Sequence, residues 1–234
     1  MIKNNSHIIS AISKRSDGSM MTNRILQKEN VQKFLDLYGI PFESTHCMKQ
    51  VHGNTVAYVN EKSPQIFEST DGLVTDKPEI FLGAVTADCV PITVSDQRAK
   101  VVGVAHAGYK GILVGIVSNL IAKARDCGAV NSSLNITIGP SIGSCCYDID
   151  ERRADDFYQK FQTENIFRYS GDKIFLDLAK VVSHIIKKEG IVSKNVMMTG
   201  ICTKCHNDSF FSYRGDTKKT FGECMTIIGM RSTR

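Results

Sequence analysis

The sequence predicts an α/β fold, and three observations support that prediction. Apolar, β-branched segments alternate along the chain with segments whose apolar residues recur at helical spacing. Hydrophobic residues make up 42% of the 234 residues and charged residues 23%, a composition typical of a globular protein with a buried core. No internal repeat or low-complexity linker divides the chain, so we predict a single domain over residues 1–234.

Strands are predicted in the middle of the chain. Residues 80–94 are apolar and rich in β-branched residues, which predicts a buried strand that contains Cys89. Residues 100–105 have the same composition and predict a second strand, and His106 follows its last residue. The short polar segment Asp96–Arg98 between them predicts an antiparallel hairpin. A hairpin of this kind would hold Cys89 and His106 near each other on a rigid frame. Further strands are predicted over residues 134–138, 196–201 and 224–230.

Helices are predicted in the second half of the chain. Apolar residues from Leu113 to Ala124 recur at helical spacing, and Gly128 is the expected C-terminal cap of that helix. Residues 151–161 form a second predicted helix. Asp177 is expected to cap a third helix, which ends before Gly190.

Charge and apolarity exclude several classes of protein. The formal net charge is +5, but the basic residues are scattered, which disfavours nucleic-acid binding and still favours a small anionic substrate. No apolar run reaches the length of a membrane span, and the polar segment 1–25 lacks the apolar region of a secretory signal. We therefore expect a cytoplasmic protein whose eight cysteines are reduced thiols.

Two histidines and one cysteine form a candidate metal site. His52, Cys89 and His106 each lie in a run of small or turn-forming residues. Two imidazoles and one thiolate suit zinc, with copper as the alternative. Three protein ligands would leave the fourth tetrahedral position open for water or substrate, as in a catalytic site. No local spacing links the three, so a hydrogen-bonded His52 and a buried, inert Cys89 stay open as ordinary interpretations.

The segment Cys202–His206 has two chemical interpretations and one ordinary one. Its Cys-x-x-Cys-His spacing matches a c-type haem attachment site, but that modification needs an exported protein. A zinc knuckle would need further ligands, which Cys145, Cys146 and His206 could supply. We favour the third interpretation, a strand-end turn with ordinary thiols.

Five ordered motifs resemble the laccase-domain family, also called the multicopper polyphenol oxidoreductase or DUF152-type family. They are Gln50–Gly53, Thr86–Pro91, His106–Gly108, Ile138–Gly143 and Phe210–Arg214. The resemblance implies a single-domain α/β fold in which mixed sheets are sandwiched between helices. It also implies that His52, Cys89 and His106 are the metal ligands.

The same resemblance implies an enzyme acting on purine nucleosides. Family members are described as phosphorylases of adenosine, inosine, guanosine and methylthioadenosine, and as adenosine deaminases. For deamination, metal-activated hydroxide would attack C6 of adenine, and Asp88 beside Cys89 is the candidate acid–base group. For phosphorolysis, Lys49, Lys110 and Arg214 are candidate clamps on phosphate. The expected partners are nucleosides and phosphate, with neither nucleic acid nor membrane, for a monomer or a homodimer.

The sequence departs from the family where basic residues are common. Tyr109-Lys110-Gly111 stands where Trp-Arg-Gly is usual, so a bidentate guanidinium is missing there. Gly215 follows Arg214, and Glu223 follows Gly222, at positions where the family often has arginine. If the family's arginines bind phosphate or purine, this chain is expected to bind it more weakly or to prefer another ligand.

Three alternative functions stay open. A copper-dependent polyphenol oxidase needs many histidines, and the chain has six, with no cluster able to hold several copper ions. A cysteine hydrolase or amidase of the peptidoglycan-editing type would use Cys89 as nucleophile and His106 as base. A binding protein would tolerate His106→Ala. Metal analysis distinguishes the hydrolase, which needs a free thiolate, from the metal-dependent deaminase.

Overall fold

Two central mixed sheets pack face to face in the computed structural model. The structure describes residues 7–232, so the first six residues of the polar segment 1–25 lie outside the described range. The strands are β1 (Ile8–Ile12), β2 (Met21–Thr22), β3 (Ile25–Leu26), β4 (Thr45–Met48), β5 (Val56–Tyr58), β6 (Ile66–Phe67), β7 (Gly72–Thr75), β8 (Phe81–Thr86), β9 (Val90–Asp96), β10 (Val101–Ala107), β11 (Asn135–Ile138), β12 (Asp148–Ile149), β13 (Phe167–Ser170), β14 (Lys173–Leu176), β15 (Val196–Met198) and β16 (Cys224–Met230). The helices are α1 (Lys28–Asp36), α2 (Tyr109–Val114), α3 (Ile116–Asp126), α4 (Glu151–Phe161) and α5 (Leu178–Lys188).

Each central sheet contains parallel and antiparallel neighbours. The five-stranded sheet has the order β1-β16-β8-β4-β6, and the six-stranded sheet has the order β15-β11-β9-β10-β7-β5. Strands β12, β14 and β13 form a smaller sheet, and β2 and β3 form a short hairpin. The mixed pairing confirms the predicted α/β class.

The layer order follows from the two-residue period of the strands. In β10, Val102 and Val104 pack between the two central sheets, against residues such as Leu82 of β8. Val101 and Ala105 of the same strand point to the opposite face, where they join the core formed with α3 and α5. The outer face of the five-stranded sheet packs on α1. The result is the four-layer α/β/β/α arrangement that the family resemblance implies.

The predicted strand over residues 80–94 is wrong as a single element. The structure divides it into β8 and β9, which belong to different sheets. Asp88 adopts φ +85°, a left-handed conformation that no extended strand contains, and it turns the chain from one sheet to the other. Cys89 therefore lies at the crossing between the two sheets and not inside a strand.

The predicted hairpin is confirmed, whereas one helix and one closing strand differ from prediction. Strands β9 and β10 pair antiparallel, with His106 opposite Pro91. The helix predicted from Leu113 breaks at Gly115, whose φ of +98° ends α2 and starts α3. The strand predicted over residues 196–201 ends at Met198.

The remaining helical predictions and one strand prediction are confirmed. Helix α4 spans Glu151–Phe161, and β16 spans Cys224–Met230, as predicted. Asp177 caps α5 by accepting a hydrogen bond from the backbone N–H of Lys180. Among residues 7–232, no helix combines the length and apolarity needed to cross a bilayer.

Candidate metal centre and adjoining pocket

The structure brings the three predicted ligands together at one edge of the sheets. One nitrogen each from His52 and His106 and the sulfur of Cys89 lie within 4.8 Å of one another. The two imidazole rings meet edge to face, with centroids 4.7 Å apart. Two nitrogens and one sulfur at these separations fit a single tetrahedral ion with one position left for water or substrate.

Strand β10 and a buried carboxylate position His106. The side chain lies on a fully buried strand, and its Nδ1 is 2.9 Å from Oδ1 of Asp71. Because a carboxylate can only accept, Nδ1 carries the proton and donates it to Asp71. The Nε2 atom is then the nitrogen that is free to bind an ion, which is the usual arrangement of a metal-bound histidine.

The same carboxylate positions His52, which lies in a loop. Three successive backbone N–H groups, from Val51, His52 and Gly53, donate to the two oxygens of Asp71 at 3.2, 3.0 and 2.8 Å. These bonds hold His52 at φ +58°, a conformation that costs free energy for a residue with a side chain. Burial alone would raise the pKa of Asp71, but the hydrogen bonds from His106 and Gly53 lower it, so the group stays ionised.

Gln50 fastens this loop to the five-stranded sheet. Its side-chain amide donates to the carbonyl of Val85 at 2.8 Å and accepts from the N–H of Val85 at 2.9 Å. The amide thus continues the pairing beside β8 after β4 has ended at Met48. Since β8 leads directly to Cys89, this contact sets the separation between the loop and the thiol.

Asp88 holds the chain crossing that carries Cys89. Its Oδ1 accepts from the hydroxyl of Thr203 at 2.6 Å, and its Oδ2 accepts from the backbone N–H of Arg214 at 2.7 Å. Its carbonyl accepts from the N–H of Ile142 at 2.9 Å. Both carboxylate oxygens are therefore engaged by other parts of the chain, which gives Asp88 a positioning role in this geometry.

Cys89 and His106 shift each other's pKa in opposite directions. Burial opposes ionisation of the thiol, but the neighbouring charge of His106 and hydrogen bonds from both histidines lower the pKa of Cys89 to about 7. Burial likewise opposes charge on His106, yet the thiolate and Asp71 raise the pKa of His106 to about 10. A thiolate of this kind is a good metal ligand and also a good nucleophile.

Gly108 leaves the room that the two ligands occupy, and Gly108→Ala should remove metal binding. A β-carbon at this position would overlap Nδ1 of His52 and lie 3.1 Å from Sγ of Cys89. Since one of these ligands must move, we expect loss of bound metal with helix content unchanged, as measured by elemental analysis and circular dichroism. Gly128→Ala is the control: its β-carbon would meet no atom within 4 Å but its φ of +98° makes the substitution strained, so retained metal there shows that backbone strain away from the site does not remove the metal. Full metal content in Gly108→Ala would contradict this description of the site.

A cavity of about 820 Å³ opens over the three ligands. Its aromatic lining comprises Tyr109, Tyr147, Tyr213 and Phe221, and its basic lining comprises Arg24, Lys49, Arg153 and Arg214. Acidic groups in the wall are Glu68, Asp88 and Glu223. This volume suits a small molecule of nucleoside size, and the lining offers both stacking surfaces and cations.

The three predicted phosphate-binding residues occupy different places. Lys49 is at the rim and pairs with Glu68 at 2.6 Å. Arg214 lines the cavity and donates to Asp148 at 2.9 Å. Lys110 is exposed and is not part of the lining. Arg153 lies there instead, with its guanidinium 4.3 Å from the ring centroid of Tyr109.

Sequence reasoning did not find several residues of the site. Asp71 stands in no recognisable motif, and its importance follows only from the four groups that donate to it. Arg153 lies on the polar side of α4, where a charge is ordinary. Glu223 is notable in the sequence only because the family often has arginine at this position, yet its side chain lines the cavity.

The cysteine-rich segment also has an unexpected arrangement. The sulfurs of Cys145, Cys146, Cys202 and Cys205 lie within 4.8 Å of one another. His206, which the knuckle interpretation included, turns its Nδ1 to the carbonyl of Cys202 at 3.0 Å. The favoured interpretation of ordinary thiols does not explain why these four side chains converge.

Comparison with known proteins gives a consistent set of relatives. The sequence is 31% identical to "Purine nucleoside phosphorylase YlmD" of Geobacillus stearothermophilus, over 86% of this chain and 78% of that protein. It is 28% identical to "Purine nucleoside phosphorylase LACC1" of Mus musculus, over 95% of this chain and 52% of that protein. The chain thus spans about half the length of the mouse relative. "Adenosine deaminase RL5", from an unknown prokaryotic organism, is 27% identical over 75% of this chain and 71% of that protein.

The fold comparison and the family model agree with these relatives. The crystal structure of the hypothetical protein YfiH of Bacillus licheniformis superposes with a TM-score of 0.88 at 25% identity, covering 96% of this chain and 93% of that one. The family model described as "Multi-copper polyphenol oxidoreductase laccase" matches residues 23–231, a range that contains the whole candidate metal centre. This protein belongs to the multi-copper polyphenol oxidoreductase laccase family.

Proposed function

We propose that the chain, acting as one domain over residues 1–234, is a zinc-dependent purine nucleoside enzyme. The proposed reactions are phosphorolysis of purine nucleosides and hydrolytic deamination of adenosine. The observation that carries the proposal is the convergence of His52, Cys89 and His106 beneath a cavity with aromatic and basic walls. The names of the relatives, phosphorylases and an adenosine deaminase, support the substrate class.

Zinc is the proposed ion because the donor set mixes imidazole nitrogen with thiolate sulfur. When bound, zinc would supply a Lewis acid that lowers the pKa of water to roughly 7. The protein's own contribution is to fix the ligands: Asp71 orients His106 and holds the loop of His52, and Asp88 holds the crossing that carries Cys89. Copper is the alternative ion for the same ligands.

The cavity wall supplies separate surfaces for the base and for phosphate. Tyr213 and Phe221 meet edge to face with centroids 5.8 Å apart, and the exposed ring of Tyr213 offers a stacking surface for a purine. Arg153 and Arg214 supply guanidinium groups for phosphate, and Lys49 adds a third cation at the rim. Arg153 takes the role that the sequence suggested for Lys110.

Glu223 is our proposed acid–base group, in place of Asp88. It lines the cavity, and burial raises its pKa while the nearby His106 and His52 act in the opposite direction. A carboxyl group with a raised pKa can take and return a proton near neutral pH. In Asp88, by contrast, both oxygens already accept hydrogen bonds within the protein.

Glu223→Gln should therefore lower kcat for adenosine deamination by about 10²–10⁴-fold, the usual contribution of a positioned proton donor and acceptor. Metal content should be unchanged, since Glu223 is not among the three grouped ligands. Steady-state kinetics and elemental analysis measure both quantities. Glu68→Gln, at the exposed rim of the same cavity, is the matched control and should retain activity. An equal loss of kcat in both variants would contradict the proposed role of Glu223.

The proposed function is tested by incubating zinc-loaded, metal-analysed protein with adenosine and inosine, each with and without phosphate. Chromatography should show inosine from adenosine without phosphate, and free hypoxanthine or adenine only when phosphate is present. If the metal is bound and none of these products forms in any condition, the proposal is wrong.

The proximity of His106, which lowers the pKa of the Cys89 thiol to about 7, favours a cysteine hydrolase as the second candidate, and alkylation of Cys89 separates the two. In metal-free protein, the rate of alkylation by iodoacetamide should rise with pH and reach half its maximum at about 7, because the thiolate forms above the lowered pKa. For an ordinary cysteine, the alkylation rate would be half-maximal at a pH of roughly 8.5. Peptide mass spectrometry follows Cys89 separately from other thiols.

Zinc loading should protect Cys89 from the reagent, since the sulfur is then a ligand. His106→Gln is the control, and it should move the half-maximal rate to higher pH because the cationic partner is lost. If Cys89 is alkylated as fast in zinc-loaded protein as in metal-free protein, the hydrolase is favoured.

A further inference from the structure

Four cysteines from two distant turns meet at the edge of the core, two of them exposed, and all are well separated in sequence from His52, Cys89 and His106. Cys145 and Cys146 belong to the turn after Gly143, and Cys202 and Cys205 belong to the turn after Ile201. We refer to these four residues as the cysteine cluster. Sγ of Cys205 is 3.5 Å from Sγ of Cys145 and 3.4 Å from Sγ of Cys146, and no pair of sulfurs is farther apart than 4.8 Å.

These separations match a mononuclear tetrathiolate site. Zinc–sulfur bonds of about 2.3 Å in a tetrahedron place the sulfurs about 3.8 Å apart. The two shortest contacts, 3.5 and 3.4 Å, lie slightly below that edge length, and the upper bound of 4.8 Å on every pair is compatible with it. An iron–sulfur cluster would occupy more space, because several metal ions and inorganic sulfides must fit between the cysteines.

The backbone of both turns is built to hold the sulfurs. Ser141 and Cys202 form a β-bridge, in which Ser141 accepts from Thr203 N–H and donates to the carbonyl of Ile201, each at 3.1 Å. The N–H of Gly143 donates to Sγ of Cys202 at 3.3 Å. An N–H group that points at a sulfur stabilises a metal-bound thiolate and orients it. A β-carbon at Gly143 would lie 3.4 Å from Cβ of Cys202 in the other turn, so glycine also permits the close approach of the two turns.

Hydrophobic packing accounts for Cys202, which joins the core, and for Cys146, which packs against it, but not for the other two cysteines of the cluster. Cys145 and Cys205 are exposed, whereas an unreactive free cysteine is usually buried as a small apolar residue. Exposed thiols at this density would be prone to oxidation unless an ion held them. Four sulfur ligands with no open position are typical of a structural site and not of a catalytic one.

We propose that the cysteine cluster binds one structural Zn²⁺ ion. The ion ties the turn 143–146 to the turn 202–205. Thr203, inside the second turn, donates to Asp88, which precedes Cys89. The bound ion therefore stabilises the wall of the cavity at a distance, without touching substrate.

Metal stoichiometry tests this proposal without reference to activity. In a His52→Ala/Cys89→Ala background, which removes the ligands of the candidate metal centre, purified protein should retain one equivalent of zinc per chain. Adding Cys145→Ser and Cys205→Ser should remove that equivalent. Adding Cys127→Ser instead should not, because Cys127 is a half-buried cysteine outside both groups.

X-ray absorption at the zinc edge keeps the test decisive if the serine variants fail to fold. The zinc retained by the His52→Ala/Cys89→Ala protein should show four sulfur neighbours at about 2.3 Å and no nitrogen neighbour. A mixed nitrogen and sulfur shell, a zinc content unaffected by the two serine substitutions, or iron in place of zinc would overturn the proposal. Disulfides joining Cys145 or Cys146 to Cys202 or Cys205, found by non-reducing peptide mapping, would also overturn it.

Discussion

Cys89→Ala should abolish both metal binding at the candidate metal centre and turnover of every nucleoside. The thiolate is one of the three proposed protein ligands, and the two imidazoles lie close to its sulfur. Without it, two neutral imidazoles remain, one of them in a loop, and they cannot hold an ion against competition from water. We expect activity to fall below detection, measured as inosine and free base released from adenosine and inosine.

The fold should survive this substitution. Cys89 lies half-buried at the crossing between β8 and β9, and the hydrogen bonds that hold the crossing come from Asp88. Circular dichroism should be unchanged, and the free energy of unfolding should fall by no more than about 1–2 kcal/mol in metal-free protein. Cys127→Ala serves as the control for loss of a half-buried thiol. Turnover lost while the metal is retained would identify Cys89 as a nucleophile and favour the hydrolase.

Asp71→Asn should have the second-largest effect, because one carboxylate orients both histidines. An amide of the same shape has one accepting oxygen and one donating NH₂ group, whereas four donors converge on Asp71. At least one donor would then face another donor in a fully buried place. We expect a 10–100-fold loss of metal affinity, as for other residues that orient metal ligands.

The same substitution should lower stability. Asp71 is completely buried and pairs with His106, and removing one member of a buried pair costs about 3–5 kcal/mol. Urea unfolding of metal-free protein and chelator competition measure the two effects separately. Asp76→Asn is the matched control, since this carboxylate follows the same strand β7, accepts from Tyr58 and remains partly exposed. A loss of less than about 1 kcal/mol is expected there. Equal behaviour of the two variants would contradict the central role of Asp71.

The helices and the central hairpin could be predicted because their signals are local. A capping Asp177, the periodic apolar residues of α4 and α5, and the turn between β9 and β10 each lie within a few residues of the element that they define. The prediction of a single strand over residues 80–94 is wrong because it, too, rests only on local signals. Both halves are apolar and buried, so composition gives no sign that Asp88 reverses the backbone between two sheets.

The three candidate metal ligands could be predicted from the sequence, but the residues that position them could not. Histidine and cysteine stand out because few side chains bind transition metals, and they lie in motifs that resemble those of the family. Asp71 and Arg153 give no such signal, since carboxylates and guanidinium groups are common on any surface. Gln50 begins a family-like motif, but nothing in the sequence indicates that its amide pairs with Val85. Their roles depend on which atoms face them after folding.

The sequence by itself determined the α/β class, the family and the identity of the three candidate ligands, because side-chain chemistry and local periodicity are properties of neighbouring residues. Only the tertiary structure decided that one buried carboxylate holds both histidines, that Arg153 and not Lys110 faces the cavity, and that four cysteines from two turns converge. The physical reason is that strand pairing and layer packing join segments far apart in the chain, such as residues 145 and 205. No short-range pattern encodes those distances.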